Sequence, residues 1–278
     1  MHHYNNRNGP ERDLYTLKDD NGCPAIAWNP VNCNINSAWS QIEELKDKMR
    51  DHQKDGFEFL WKNIGASFKR DGNHIGGCIL AHPPGTGKSL LIISFLKSFM
   101  HLNSWSRALI VAPKNMLLPW QNEFGKWNAN INVHLLRSVK AKPSLEYLKI
   151  ISEWHHTTSV LIITYGLFAK LTDERTAAKK LEYHNIGKLL LYIPDLLVMD
   201  EGHVPRRNYS KLRKSISRVR TWGRILVSGT LFQNNVHELF NSLYLARPNF
   251  LYGLDVPYLN ERYFFSLKSV CSSLSVSP

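Results

Sequence analysis

Two hydrophobic periods take turns along the chain. Phe57, Leu60, Trp61 and Ile64 recur at helical spacing, so His52–Ile64 is predicted as a helix, preceded by one that Ser37 caps and that runs through Met49. Beyond them, short apolar runs alternate with amphipathic stretches. Gly77–Ala81, Arg107–Ala112, Ile131–Leu136, Val160–Thr164, Asp195–Met199 and Arg224–Ser228 read as strands. Lys88–Leu102, Leu117–Trp127 and Ser144–Trp154 read as helices between them. Such alternation predicts an α/β fold, a mainly parallel sheet with helices on both faces. Residues 1–36, rich in Asn, Pro, Gly and charge, read as a poorly ordered lead-in, 37–252 as the folded domain, and 253–278, with serine-rich Ser266–Pro278, as a frayed tail.

Composition narrows the classes. A hydrophobic share of 43% supports a globular core. Lys and Arg total 35 against 23 Asp and Glu, a net charge of +12, which suits a polyanionic partner or simply a basic soluble protein. Cys23, Cys33, Cys78 and Cys271 have no metal-site spacing, and neither a secretory signal nor a membrane-length apolar run is present, Leu90–Leu96 being far too short. The expectation is a soluble, intracellular protein without a membrane partner.

Chemistry enters at two strand ends. Cys78-Ile-Leu-Ala-His-Pro-Pro-Gly-Thr-Gly-Lys-Ser89 passes from strand to helix through Gly85 and Gly87. Pro84, Gly85, Thr86 and Gly87 would form the turn around the phosphates of ATP, the glycines letting backbone N–H groups point inward, Lys88 would reach the β- and γ-phosphates, and Ser89 could ligate Mg²⁺. His82 stands where such loops usually carry Gly or Ala. Leu196-Leu-Val-Met-Asp-Glu-Gly-His203 sets two carboxylates at a second strand end. There Asp200 could hold the magnesium through its water shell, and Glu201 could polarise the attacking water.

These motifs resemble a known family. Asp200-Glu-Gly-His203 is similar to the DExH box of superfamily-two helicases. Ser228-Gly-Thr-Leu-Phe-Gln-Asn-Asn235, with Leu245-Ala-Arg-Pro248 after it, looks like motif III of Swi/Snf-type chromatin-remodelling ATPases. Met49–Phe57 resembles their glutamine motif, Leu109–Lys114 with Trp120–Phe124 their motif Ia, and Leu161–Gly166 their motif Ib. His82-Pro-Pro-Gly-Thr-Gly-Lys-Ser89 and Asp200-Glu-Gly-His-Val-Pro-Arg-Arg-Asn208 are most similar to the plant CLASSY subfamily.

The resemblance implies a RecA-like P-loop lobe that binds ATP and Mg²⁺ and grips nucleic acid, DNA above all. It makes Gln53 the adenine reader and Lys88, Asp200, Glu201 and His203 the catalytic set. Ser228, Gly229 and Thr230 would couple the nucleotide to strand movement. It further implies a nuclear factor that recruits an RNA polymerase in small-RNA-directed DNA methylation. The second RecA-like lobe is expected to be absent from these residues, giving low turnover. A non-catalytic nuclear adaptor and an AAA-type ATPase are the alternatives.

Pro113 and Lys114, following a strand, are candidates for nucleic-acid contact. So are Arg206 and Arg207, which open a segment from Val204 to Arg224 with eight basic and no acidic residues. There Tyr209, Leu212, Ile216 and Val219 form an apolar stripe, and the basic face of Lys211, Lys214, Arg218 and their neighbours is either solvated or a partner contact. His74, His101, His155, His156 and His184 read as surface or structural histidines, and Trp61, Trp120 and Trp127 as core residues.

Overall fold

A computed structural model of the chain describes residues 34–65, 76–138, 143–177, 181–201, 211–229 and 236–248. His203, Arg206, Arg207, Tyr209 and Thr230, and both expected terminal segments apart from 34–36, lie outside the described residues.

The first helices are α1 (Ile35–Ser40), α2 (Glu43–Lys46) and α3 (Asp51–Leu60). The single helix expected up to Met49 is two short ones. Asn34 caps the first, its Oδ1 accepting from the Asn36 N–H at 3.0 Å, while Ser37 lies inside the helix. A π turn at Trp61–Gly65 ends α3, with the Trp61 ring lying where a side chain on Gly65 would go.

Six strands follow among the described residues: β1 (Cys78–Ala81), β2 (Arg107–Ala112), β3 (Asn132–Leu136), β4 (Ser159–Thr164), β5 (Leu196–Met199) and β6 (Arg224–Ser228). All pairings between them are parallel, in the order β1-β6-β5-β2-β4-β3. Between strands run α4 (Lys88–Leu102), α5 (Leu117–Lys126), α6 (Pro143–His155), α7 (Tyr165–Thr172), α8 (Glu174–Ala177), α9 (Leu181–Tyr192) and α10 (Lys211–Ser217); α11 (Val236–Ala246) comes after β6. No helix among them is long and apolar enough to cross a membrane.

The strands are apolar on both faces because both faces are covered. Ala108, Ile110, Leu196, Val198, Ile225 and Val227 join one core with Phe57, Trp61, Phe95 and Trp120. Leu109, Val111, Leu197, Met199 and Leu226 join the other with Trp154, Phe168, Leu190 and Ile216. The sheet order has a chemical consequence. It sets the C-terminal ends of β1, β6 and β5 side by side, bringing together three sequence segments far apart in the chain.

Candidate nucleotide site

The loop after β1 needs its glycines. Gly85 and Gly87 have φ of +80° and +77°, a region that favours residues without Cβ. Above Gly85 no heavy atom lies within 4 Å of a virtual Cβ, so the loop's outer side is open to a ligand. At Gly87 the same position is taken by the amide of Gln53. That amide donates to the carbonyls of Thr86 at 3.1 Å and Gly87 at 3.0 Å, while its oxygen accepts from the Arg50 N–H at 2.8 Å. Gln53 is thus buried and bonded to the phosphate loop itself. His52, unmarked in the sequence reading, adds a contact from its Nε2 to the Thr86 carbonyl at 3.1 Å.

Lys88 opens α4 and its ammonium donates to the carbonyls of His82 at 2.9 Å and Pro83 at 3.0 Å. Burial holds its pKa below the ordinary lysine value, and the charges of Glu201 and Asp200 pull it back up. His82 is buried, with neither ring nitrogen bonded among the described residues. Burial lowers its pKa, and the neighbouring His52 and Lys88 add to that.

Asp200 sits at the end of β5, 5% exposed. Its Oδ1 accepts from the Glu201 N–H at 2.9 Å and its Oδ2 from the indole N–H of Trp120 at 2.8 Å. Its main-chain oxygen accepts from the Tyr165 hydroxyl at 2.7 Å. Burial pushes the carboxyl above its usual range; the Trp120 bond opposes this, Glu201's charge adds to it, and the Glu201 amide and Lys88 oppose it. Glu201 has a positive φ of 50°. Ser228 ends β6 in register with Ala81 of β1, and Gly229 lies against Pro84, whose Cδ would be 3.3 Å from a Cβ at Gly229.

The structure therefore assembles Gln53, Pro84–Ser89, Asp200, Glu201, Ser228 and Gly229 at one edge of the sheet. Pro113 and exposed Lys114 follow β2, at the same C-terminal end, in a 3₁₀ turn at Lys114–Met116. The basic segment divides. Ile216 and Val219 are buried, as the apolar stripe predicts, and Lys214 is exposed. Arg218 is exposed as well, and its guanidinium reaches the Thr172 carbonyl at 3.1 Å and Glu174 at 3.4 Å. Arg224 is 1% exposed, its guanidinium shared among the carbonyls of Thr221, Leu245 and Val219, so it belongs to the core rather than to a binding face.

Sequence reasoning missed Trp120 and Tyr165 as partners of Asp200. Trp120 is buried as expected, but its N–H carries a second role that burial patterns do not reveal. The signal available was its place within the motif-Ia-like stretch.

The donor set fits a magnesium nucleotide: a glycine loop open outward, a helix N-terminus, one lysine, one hydroxyl and two acids. Fold and site together have the form of a P-loop α/β domain. The SNF2-related domain family matches residues 52–256, and the chain belongs to that family. CLASSY 1 of Arabidopsis thaliana, an SNF2 domain-containing protein, is 42% identical over 273 residues, covering 89% of this chain and 21% of that protein. The human transcriptional regulator ATRX is 33% identical over 80% of this chain and 10% of its own length. The chain thus spans about a fifth or less of these relatives. The Sulfolobus solfataricus SWI2/SNF2 ATPase core, solved in complex with dsDNA, shares the fold with a TM-score of 0.55 at 20% identity, over 81% of this chain and 43% of that one.

Proposed function

We propose that this chain is the ATP-binding lobe of a DNA-dependent, CLASSY-like ATPase that works in the nucleus, in chromatin and small-RNA-directed DNA methylation. The observation that carries the reading is that Lys88 and the glycine loop after β1 lie within the charge influence of Asp200 and Glu201 after β5, the two strands flanking β6. In this reading the loop amides and the α4 N-terminus bind the phosphates, and Lys88 leaves its loop carbonyls for the β- and γ-oxygens. Ser89 and Asp200 hold the metal, the latter through water. Glu201 orients the attacking water, and Ser228, Gly229 and Thr230 pass the state of the site on. Bound Mg·ATP would supply the transferable phosphoryl group and the charge that neutralises its oxygens.

Pro113 and Lys114, with Arg206 and Arg207, are the proposed backbone contacts to DNA. An RNA polymerase or chromatin factor is the proposed protein partner, on the resemblance to CLASSY proteins. These residues expressed alone are expected to turn ATP over slowly, since a trans arginine contributes about 10³–10⁵ in rate in such sites.

Binding of a fluorescent ATP analogue with Mg²⁺ tests the reading. Wild-type protein should bind it, and Lys88→Ala should lose most of the affinity. Equal affinity of the two proteins would sink the ATP reading. A second reading, a nuclear adaptor whose pocket is only structural, draws support from the two bonds of Lys88 to its own loop. It requires that same Lys88-independent outcome.

A further inference from the structure

A carboxylate that serves a metal must be held in one orientation, and Asp200 is held from outside its own strand. Its Oδ1 bond to the Glu201 N–H is local and leaves the carboxylate's other oxygen undirected. The second bond comes from 80 residues away in sequence: the Trp120 indole N–H on Oδ2, at 2.8 Å, between buried groups. An indole N–H is a donor only, so it fixes an oxygen without competing for a cation. A hydrogen bond to an ionised acceptor in a buried place is also a strong one.

Nothing about burial requires this pairing. Trp154, fully buried in the opposite core, keeps its indole N–H without a hydrogen-bond partner among the described residues. Trp120 itself cannot drift. It is 3% exposed and lies with its ring 6.3 Å from that of Phe124, one turn along α5. The Tyr165 hydroxyl meanwhile fixes the Asp200 main chain from the start of α7. Asp200 is therefore clamped at its backbone by the helix after β4 and at its side chain by the helix after β2.

We propose that Trp120 is the positioning residue of the magnesium carboxylate, its indole N–H orienting Asp200 and so setting how tightly Mg²⁺ is taken up with a nucleotide. The proposal rests on the ATP·Mg reading above. Partners of this kind behind a metal-binding side chain are worth about 10- to 100-fold in metal affinity.

The test compares fluorescent ADP binding in EDTA and in Mg²⁺ for wild-type protein, Lys88→Ala, Trp120→Phe, Asp200→Asn and the Trp120→Phe/Asp200→Asn pair. Trp120→Phe should keep the metal-free affinity of wild type and lose about 10- to 100-fold of the gain on adding Mg²⁺. In the Asp200→Asn background it should cost nothing more, because both changes act through one group. An undiminished Mg²⁺ gain in Trp120→Phe, or costs that add, would overturn the proposal, since a merely structural tryptophan would shift both affinities alike. Should Trp120→Phe not fold, wild-type protein with ¹⁵N-labelled indoles decides. One of the eight tryptophan N–H signals should move with ADP and Mg²⁺ and stay with ADP alone; if none responds selectively, the proposal falls. Wild-type binding that ignores Lys88→Ala would overturn the ATP reading itself, a result distinct from all of these.

Discussion

Gly87 and Gln53 form one device at the scale of single residues. The left-handed backbone at Gly87, with φ +77°, turns the loop into α4, and the absence of a side chain there leaves room for the Gln53 amide. Gln53 in turn donates to two loop carbonyls, adding to the contact of His52 with the Thr86 oxygen and to the bond from the Leu91 N–H to the Gly87 oxygen. Gly87→Ala should therefore fail twice. The left-handed conformation costs an L-residue about 1–2 kcal/mol, and the methyl displaces the amide from its two acceptors. Urea unfolding should register a loss at least that large, with nucleotide affinity falling in parallel. An alanine variant as stable as wild type would mean that the loop and Gln53 rearrange freely. The glutamine was legible as a motif residue. Its bonds to the loop were not, because a side chain at position 53 and carbonyls at 86 and 87 share no local pattern.

Secondary-structure elements were read with uneven success, for physical reasons. β2, β6 and α4 fall at the predicted limits, since each is a strongly apolar run bounded by Gly, Pro or polar residues. α7 and α9 were not anticipated; α7 follows β4 with no intervening residue, Thr164 both ending the strand and capping the helix through its bond to the Leu167 N–H. Arg224 was counted with a basic surface segment, yet it is the tie between elements. It joins β6 to the carbonyls that follow α10 and end α11, and burial lowers its pKa to about 10, still far above neutral. Arg224→Leu would deprive two buried carbonyls, of Leu245 and Val219, and the half-buried one of Thr221 of the donor this side chain supplies. Unsatisfied buried groups cost about 1–3 kcal/mol each, so the variant should unfold at markedly lower denaturant or fail to fold. A leucine variant of wild-type stability would show that α11 is held otherwise. Arg247 gives a second tie, its Nε donating to the Gly77 carbonyl at 2.7 Å beside the start of β1.

Across the whole molecule, proton uptake should betray which histidines the fold buries. Burial lowers the pKa of His134, with Glu153 opposing, and of His155, with Arg107 and His156 adding to the effect. Both imidazoles are thus more readily protonated in the unfolded chain, where the ordinary value is 6.5. As pH falls through that value the unfolded state gains protons that the folded state refuses, so stability should decline. Denaturation at about pH 7.5 and about pH 5.5 measures this, and a His134→Gln/His155→Gln variant should flatten the slope. Asp200, raised by burial, acts in the opposite sense and remains in both proteins, so the variant isolates the histidines. An unchanged slope would place the titration elsewhere.

The sequence by itself determined the α/β class, helices on both faces of the sheet, the glycine loop and the acidic box, because each is written in short stretches: unbroken apolar runs of strand length, apolar positions 3.6 apart in helices, and glycine where φ is positive. Only the tertiary structure decided that β1, β6 and β5 are neighbours, that Gln53 holds the loop, that Arg224 is core, and that Trp120 and Tyr165 grip Asp200. Most of those contacts join residues far apart in the chain, and they are fixed by strand order and by which helix covers which face, neither of which leaves a period in the chain.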